Sequence, residues 1–343
     1  MKRLFLILLT FCIPFFLFCF SEIVFSATEE AIFMCKDTLL PSLFPFMILS
    51  SFISYSGTGL IISAIFFPLT KLLSLPKCTG GIWFTTFIGG FPSGAASICS
   101  MYDLNSIDRS FAEQIISCCV CSGPAFLIIA VGKILFNSYK IGLMLFVSQI
   151  ISVIILTAIF CKGNNSQSNA TQISLPISVA FVSAVNHSIL SLLNIFAFVI
   201  LFSILIEIML HCFPQFSIAV SLLEITIGCK ILSEQLNSSI LPIAFLTGFG
   251  GISVCFQILS IAHHSGLSPK YFWTVRFLNG LLCSLICFVF LKIFPQANEV
   301  YYSSDAPVPF AVWSVNSVLG AVCFCAMLLS VIQKLDIYRK DFM

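Results

Sequence analysis

Long apolar stretches and short polar breaks alternate along the chain. Long apolar runs at residues 4–20, 141–161, 192–210 and 310–333 approach or exceed the roughly 20 residues that an α-helix needs to cross a bilayer. Other apolar runs of similar length contain glycine, proline or isolated charges. The pattern predicts an all-α fold, a polytopic transmembrane helical bundle with about eight to ten crossings of that length.

Three of the apolar runs contain residues that interrupt helices. Residues 89–94 read Gly-Gly-Phe-Pro-Ser-Gly, and residues 247–251 read Thr-Gly-Phe-Gly-Gly. A third interruption, Ser122-Gly123-Pro124, indicates a helical hairpin or re-entrant element in the first half. Glycine and proline disfavour a continuous helix. Backbone groups freed at membrane depth persist only where they line a cavity, a pore or a site filled by protein.

The two glycine clusters lie in different halves of the chain, which predicts two related halves of inverted topology. The repeat is aligned by setting Gly90 over Gly248, and the polar segment 162–174 serves as the linker between the halves. The predicted divisions are an N-terminal transmembrane helix (1–30), a first gate-like half (31–161), the linker (162–174), a second gate-like half (175–295), and a C-terminal transmembrane helix with its tail (296–343).

Broken helices place backbone N–H groups and positive dipole ends inside a bundle, where they suit an anionic or polar solute. One broken segment in each half is typical of a transporter binding site. Close helix packing is the alternative, because Gly90 and Gly94 also fit the GxxxG spacing. The predicted solute site comprises Gly89, Gly90, Pro92, Ser93, Gly94, Ser122, Gly123, Pro124, Glu224, Gly248, Gly250, Gly251, Ser253, Gln257 and Arg276.

Glu224 is a charged residue within an apolar window from 216 to 232. A charge at the centre of a membrane helix costs about 2.5–3.5 kcal/mol on insertion scales, and such a residue usually faces a pathway or a partner. Lys230 is too far along the same helix to pair with it, so the partner is expected on another element, with Arg276 as the candidate. A purely structural ion pair and a protonation step coupled to transport are both open alternatives.

Composition agrees with the hydrophobic pattern and excludes several classes of protein. The chain of 343 residues is 59% hydrophobic and 9% charged, with a mean hydropathy of +1.09, whereas soluble domains are about 25% charged. The net charge of +2 comes without a basic tract, so nucleic acid is not an expected partner. The lipid bilayer and a small solute are the expected partners, and a homo-oligomer is compatible with the sequence.

The sequence indicates neither a metal centre, nor a cofactor, nor an enzyme. Most of the sixteen cysteines lie inside apolar runs, where they are expected to pack as small polarizable residues. The cluster Cys118-Cys119-Val120-Cys121 does not form two CxxC arms. The sequence contains no HExxH, GxSxG or Walker motif.

Charges near the two ends favour a cytoplasmic location for both termini. Lys2 and Arg3 precede the first apolar run, whereas Glu22 follows it, and Lys334 and Arg339 follow the last one. A retained first helix is favoured, and a cleaved signal peptide is the alternative.

Several motifs in order resemble the YlbJ family of sporulation integral membrane proteins, within the wider group that carries nucleoside-recognition Gate domains. The residues that carry the resemblance lie between about 36 and 295. They are Leu-Pro-Ser-Leu-Phe-Pro-Phe at 40–46, Gly-Gly-Phe-Pro-Ser-Gly-Ala at 89–95, Ser-Gly-Pro-Ala-Phe at 122–126, and Gly-Phe-Gly-Gly-Ile-Ser at 248–253 with Gln257.

The resemblance implies a multi-pass protein of a forespore-surrounding or cytoplasmic membrane that acts in endospore formation. It further implies transport of a small solute, with dipicolinate moving from mother cell to forespore as the expected cargo. Lys230 or Arg276 would supply counter-charges to this dianion. The alternatives are a spore-envelope assembly protein that transports nothing, and a permease for nucleosides or divalent cations.

Overall fold

The computed structural model describes residues 17–103, 105–161, 175–235 and 239–294, and every regular element in these ranges is helical. Five helical stretches are long and apolar enough to cross a membrane, which confirms the all-α polytopic bundle. The predicted linker and most of both terminal helices lie outside the described residues. The elements are α1 (Ser21–Tyr55), α2 (Thr58–Leu72), α3 (Thr79–Gly89), α4 (Phe91–Asp103), α5 (Arg109–Cys118), α6 (Ala125–Leu135), α7 (Tyr139–Phe160), α8 (Ile177–Cys212), α9 (Ser217–Val220), α10 (Ile225–Gln235), α11 (Ile240–Phe249), α12 (Gly251–His264) and α13 (Phe272–Ile293).

Two very long helices, α1 with 35 residues and α8 with 36, run antiparallel against each other. At one end the Tyr55 ring lies 6.1 Å from the His187 ring, and at the other Phe20 lies 6.0 Å from His211. We call the end with Tyr55 and His187 the first face of the bundle and the opposite end the second face. The hydrophobic pattern predicted a boundary between two segments at residue 30. In the structure, helix α1 continues without a break through that boundary and through the polar stretch before residue 38.

Helices α3 and α4 form a hairpin that enters from the first face and returns to it. The chain reverses at Gly90, whose φ of +76° is readily adopted only by glycine. The two arms pack closely, because a Cβ added at Gly94 would lie 2.5 Å from Thr86 Oγ1. The outer parts of both arms line one small cavity with Ser54 near the end of α1. The glycine-proline segment is therefore the tip of a re-entrant hairpin.

A second hairpin, made of α9 and α10, enters from the second face. Its base is closed by the Ser217 hydroxyl, which donates to Gln235 Oε1 at 2.6 Å. Its arms approach so closely that Gly228 lies directly against the carbonyl of Ser221. Residues 221–224 form the tip. The window around Glu224, which had been predicted to be one membrane helix, is thus a hairpin with Glu224 at its turn.

Two further segments pass through the bundle but lose helical structure midway. Helix α5 begins at the first face, where Arg109 donates to the carbonyl of Gly266 at 3.0 Å. The chain is then non-helical from 119 to 123 before α6 continues away from that face. Helices α11 and α12 run the opposite way, and the break between them lies at Gly250, with φ of +96°. Each broken segment is followed by one unbroken helix, α7 or α13, that packs along it.

The order of elements is the same in both halves, and the direction is reversed. Each half consists of a long helix, a re-entrant hairpin, a broken segment and an unbroken helix, and α2 is an addition to the first half. The inverted arrangement agrees with the predicted one, but the predicted alignment of Gly90 with Gly248 is wrong. By position in the fold, the Gly90 turn corresponds to the Glu224 turn, and the Ser122-Gly123-Pro124 interruption corresponds to the break at Gly250.

Candidate functional site

The two hairpin tips and the two broken segments meet in the middle of the bundle around a small cavity of about 50 Å³. Its wall is mostly apolar, with side chains of α1, α6, α8 and α12. We call it the central cavity. Seven of the residues predicted to bind solute line it, namely Gly89, Gly90, Pro92, Ser122, Gly123, Glu224 and Gln257. A few polar groups in a mostly apolar wall are the chemistry typical of small-molecule sites.

The tip of the first hairpin presents the N-terminus of α4 to the central cavity. Gly90 approaches the unwound segment so closely that a Cβ there would lie 3.1 Å from Gly123 N. Among the described residues, the N–H groups of Phe91 and Ser93 have no backbone acceptor outside the helix, and Pro92 carries no N–H. The positive end of the α4 dipole therefore lies at the cavity wall, where it favours a negative or hydrogen-bond-accepting group.

Ser122 is the polar side chain at this site that most directly indicates a ligand. Its Oγ atom is buried and has no hydrogen-bond partner among the described residues. Its backbone N–H donates to Gln149 Oε1 at 2.9 Å, which fixes the unwound segment in place. A buried hydroxyl without a partner costs free energy, so a solute that accepts or donates a hydrogen bond here would satisfy it.

Glu224 caps helix α10 rather than pairing with a cation. Its Oε2 accepts the N–H groups of Thr226 and Ile227, each at 2.8 Å, and its Oε1 accepts the Thr226 hydroxyl at 3.1 Å. The expected pairing of Glu224 with Arg276 is therefore wrong. A carboxylate at a helix N-terminus is stabilised by the free N–H groups and by the helix dipole. The side chain is 1% exposed and still borders the central cavity.

Arg276 instead stabilises the broken end of α11. Its guanidinium donates to the carbonyls of Gly248 and Phe249 at the end of that helix, and to Val120 O at 2.7 Å in the unwound part of the other broken segment. A cation at a helix C-terminus is favoured by the dipole. The same guanidinium therefore satisfies exposed carbonyls of both breaks at once. Arg276 does not line the central cavity.

Two amide side chains complete this arrangement, and sequence reasoning missed both. Asn279 Nδ2 donates to Gly248 O at 2.8 Å, and Gln149 Nε2 donates to Thr247 O while its oxygen accepts from Ser122. Both residues are fully buried. Both residues could have been found from the sequence, because each is an amide side chain in a mostly apolar helix, and such a side chain must find a hydrogen-bond partner inside the bundle.

The remaining predicted residues surround the central cavity without lining it. Ser93 donates to Gly89 O at 3.2 Å, on the other side of α4. At the start of α12, the N–H groups of Ile252 and Ser253 donate to Leu222 O and Leu223 O at 3.0 and 2.8 Å. The expectation of a second free helix N-terminus at this break is therefore wrong. The residues concerned are Ser93, Gly94, Pro124, Gly248, Gly250, Gly251, Ser253 and Arg276, and a binding role for them stays a prediction.

Fold and site together define an integral membrane protein of the polytopic all-α class, with inverted halves around a buried cavity. No protein-family model matches the sequence, and no solved structure matches the fold. The chain is 22% identical, over 91% of its length and 92% of the relative, to the sporulation integral membrane protein YlbJ of Bacillus subtilis strain 168. This similarity agrees with the resemblance to the YlbJ family that the motifs carry.

Proposed function

We propose that the protein transports a small ring-shaped solute with hydrogen-bonding groups across a membrane during endospore formation, and that dipicolinate is the leading candidate. The observation that carries the proposal is the meeting of two re-entrant tips and two helix breaks at one buried cavity. Irregular backbone at this depth is costly in lipid and is tolerated where it lines a site. Paired breaks in inverted halves are the usual construction of a transporter site.

The chemistry of the cavity wall supports this class of solute. Apolar side chains such as Phe91, Phe126 and Val254 offer surfaces for a ring. The N-terminus of α4 and the Ser122 hydroxyl offer donors for a carboxylate at one side. The similarity to a sporulation membrane protein is compatible with dipicolinate, which the resemblance of the motifs also implies.

Glu224 favours a second candidate, a nucleoside-like neutral solute. Among the described residues that line the central cavity, Glu224 is charged and no Lys or Arg is present. Lys230, considered as a counter-charge, lines a different cavity. An ionised Glu224 would repel a dianion and would accept hydrogen bonds from a neutral solute. A divalent cation is less well supported, because no group of three metal-ligating side chains occurs in the described part of the chain.

Uptake into proteoliposomes tests the proposal. The purified protein is reconstituted, and uptake of labelled dipicolinate, uridine and Fe²⁺ is compared with that of protein-free vesicles. Saturable uptake of dipicolinate that the other two solutes do not inhibit is expected. Saturable uridine uptake would favour the second candidate. Absence of uptake for all three would favour the other class of protein, an envelope assembly protein whose broken helices only pack.

A further inference from the structure

Two more cavities lie on either side of the central one. The first-face cavity, of about 80 Å³, is lined by hydroxyl groups of α1 and α4 together with Tyr55 and His187. The second-face cavity, of about 200 Å³, is lined by Glu30, Glu207, Glu234 and Lys230 on α1, α8 and α10. Neither belongs to the solute site described above.

The three cavities follow one another along the same two helices. On α1, the second-face cavity is lined by residues from Ala27 to Met34, the central cavity by residues from Leu39 to Met47, and the first-face cavity by residues from Ser51 to Tyr55. On α8, the order from the first face is His187, then Ile195 and Val199, then Ser203 to Leu210. Because α1 and α8 are antiparallel, the two orders describe the same succession in space.

The spacing of the outer cavities matches the thickness of a membrane. Glu207 follows His187 by twenty positions on α8, a rise of about 30 Å at 1.5 Å per residue, which is also the thickness of the hydrocarbon core. A polar cavity at each end and a mostly apolar one at the middle is the arrangement that a solute crossing this thickness requires.

We infer that the first-face and second-face cavities are water-filled mouths on opposite sides of the membrane, and that the solute route follows the α1–α8 pair from one mouth through the central cavity to the other. The inference rests on the proposed function. The mouths differ in charge, since the first is lined mainly by serines with Tyr55 and His187 and by no described carboxylate, Lys or Arg, whereas the second carries three carboxylates and one ammonium group. The second mouth therefore concentrates small cations and disfavours anions.

Single cysteines placed in each mouth test the route. Ala96→Cys lies in the first-face cavity, Leu210→Cys lies in the second, and Leu201→Cys is the matched control, since Leu201 is on the same helix as Leu210, lines neither cavity and is 52% exposed on the outer surface of the bundle. Membrane-impermeant methanethiosulfonate reagents are applied from one side of sealed proteoliposomes at a time. Labelling of the introduced cysteine is read by peptide mass spectrometry, so that native cysteines do not obscure it.

We expect Ala96→Cys to be labelled from one side only and Leu210→Cys from the opposite side only, with Leu201→Cys labelled from neither. A cationic reagent should react several-fold faster than an anionic one at Leu210→Cys, without such a preference at Ala96→Cys. Labelling should also lower dipicolinate uptake by each mouth variant at least fivefold relative to its unlabelled form, corrected for the effect on the parent protein.

Labelling of both mouths from the same side, or of neither, would overturn the inference. Mouth variants labelled as expected whose uptake does not change would show that the route lies elsewhere while the proposed function stands. If the unlabelled parent protein takes up no dipicolinate, the proposed function and the route are both wrong. Labelling of the two variants from opposite sides would then still show that the two mouths open on opposite sides of the membrane.

Discussion

Ser122 is the residue whose substitution separates binding from folding most cleanly. Its hydroxyl is buried in the central cavity wall and has no partner among the described residues. Ser122→Ala should therefore keep or slightly raise thermal stability and weaken solute binding by about 0.5–1.5 kcal/mol, the usual net contribution of a hydrogen bond. That loss corresponds to a rise in KM of roughly two- to tenfold, measured by uptake kinetics.

Ser148→Ala is the matched control for Ser122→Ala. Ser148 is also buried, but its hydroxyl donates to Met144 O at 2.7 Å and it does not line the central cavity. Its substitution should leave KM unchanged. Equal KM values for wild type and Ser122→Ala would mean that the hydroxyl does not contact the solute.

Glu224→Gln distinguishes the two candidate solutes. The amide keeps one acceptor for the N–H groups at the start of α10 and removes the negative charge. Removal of the charge should lower KM for the dianion dipicolinate and should raise KM for a neutral solute that donates to the carboxylate. The same substitution should cost about 0.5–2 kcal/mol of stability as a weakened helix cap. KM values unchanged for both dipicolinate and uridine would place the solute away from Glu224.

At the residue scale, the sequence identified residues of a type that is unusual in an apolar run. It did not predict which contacts these residues make. A carboxylate or a glycine cluster in an apolar run is visible without a structure, and Glu224, Gly90 and Ser122 were identified in this way. Which acceptor Arg276 finds depends on elements distant in sequence, since Val120 is 156 residues away. Pairing by opposite charge was the natural expectation, but the carbonyls at the broken end of α11 satisfy the guanidinium instead.

At the scale of elements, the turn at Gly90 holds the first hairpin tip against the unwound segment. Gly90→Ala introduces a methyl group 3.1 Å from Gly123 N, at a backbone conformation (φ +76°, ψ −163°) that is nearly restricted to glycine and costs other residues about 1–3 kcal/mol. We expect dipicolinate uptake to fall at least tenfold, because the tip and the Ser122 segment are pushed apart. The measurement is the initial uptake rate at equal amounts of reconstituted protein.

Gly266→Ala also places a side chain at a positive φ but causes none of the crowding. Gly266 has a φ of +73°, and a Cβ there would meet nothing within 4 Å. This variant should keep wild-type uptake. Equal losses of uptake in both variants would mean that backbone strain alone accounts for the effect, and the close approach at the tip would then not matter for transport.

The hydrophobic pattern predicted where helices break but not whether the chain turns back or continues. Residues 89–94 and 247–251 look alike in sequence, yet the first is a hairpin tip and the second lies within a through-going segment. Gly90 turns back because small residues such as Gly94 and Ser97 let the two arms pack side by side, whereas the start of α12 is held by the tip of the second hairpin. These contacts join distant elements, which is why the alignment of the two halves from glycine clusters alone was wrong.

At the scale of the whole molecule, inverted halves bring four irregular segments to one place and leave polar cavities at both faces. The two inverted halves are recognisable because each half repeats the same succession of a long helix, a hairpin, a broken segment and an unbroken helix. The number of crossings was less accessible from sequence, because a re-entrant hairpin such as residues 79–103 is as long as a true span and contains an apolar arm. Transport by this fold therefore requires that the solute pass through the central cavity.

The most direct test is the initial rate of dipicolinate uptake by proteoliposomes that contain wild-type protein or the Gly123→Leu variant. A leucine at position 123, whose Cβ would lie 3.4 Å from Ile88 O and 3.6 Å from Gly90 Cα, would push the first hairpin tip away from the unwound segment at the cavity wall. Size-exclusion chromatography would verify that the variant is folded. We predict saturable uptake by the wild type and at least a tenfold lower rate for Gly123→Leu. A folded Gly123→Leu variant that takes up dipicolinate at the wild-type rate would contradict the account.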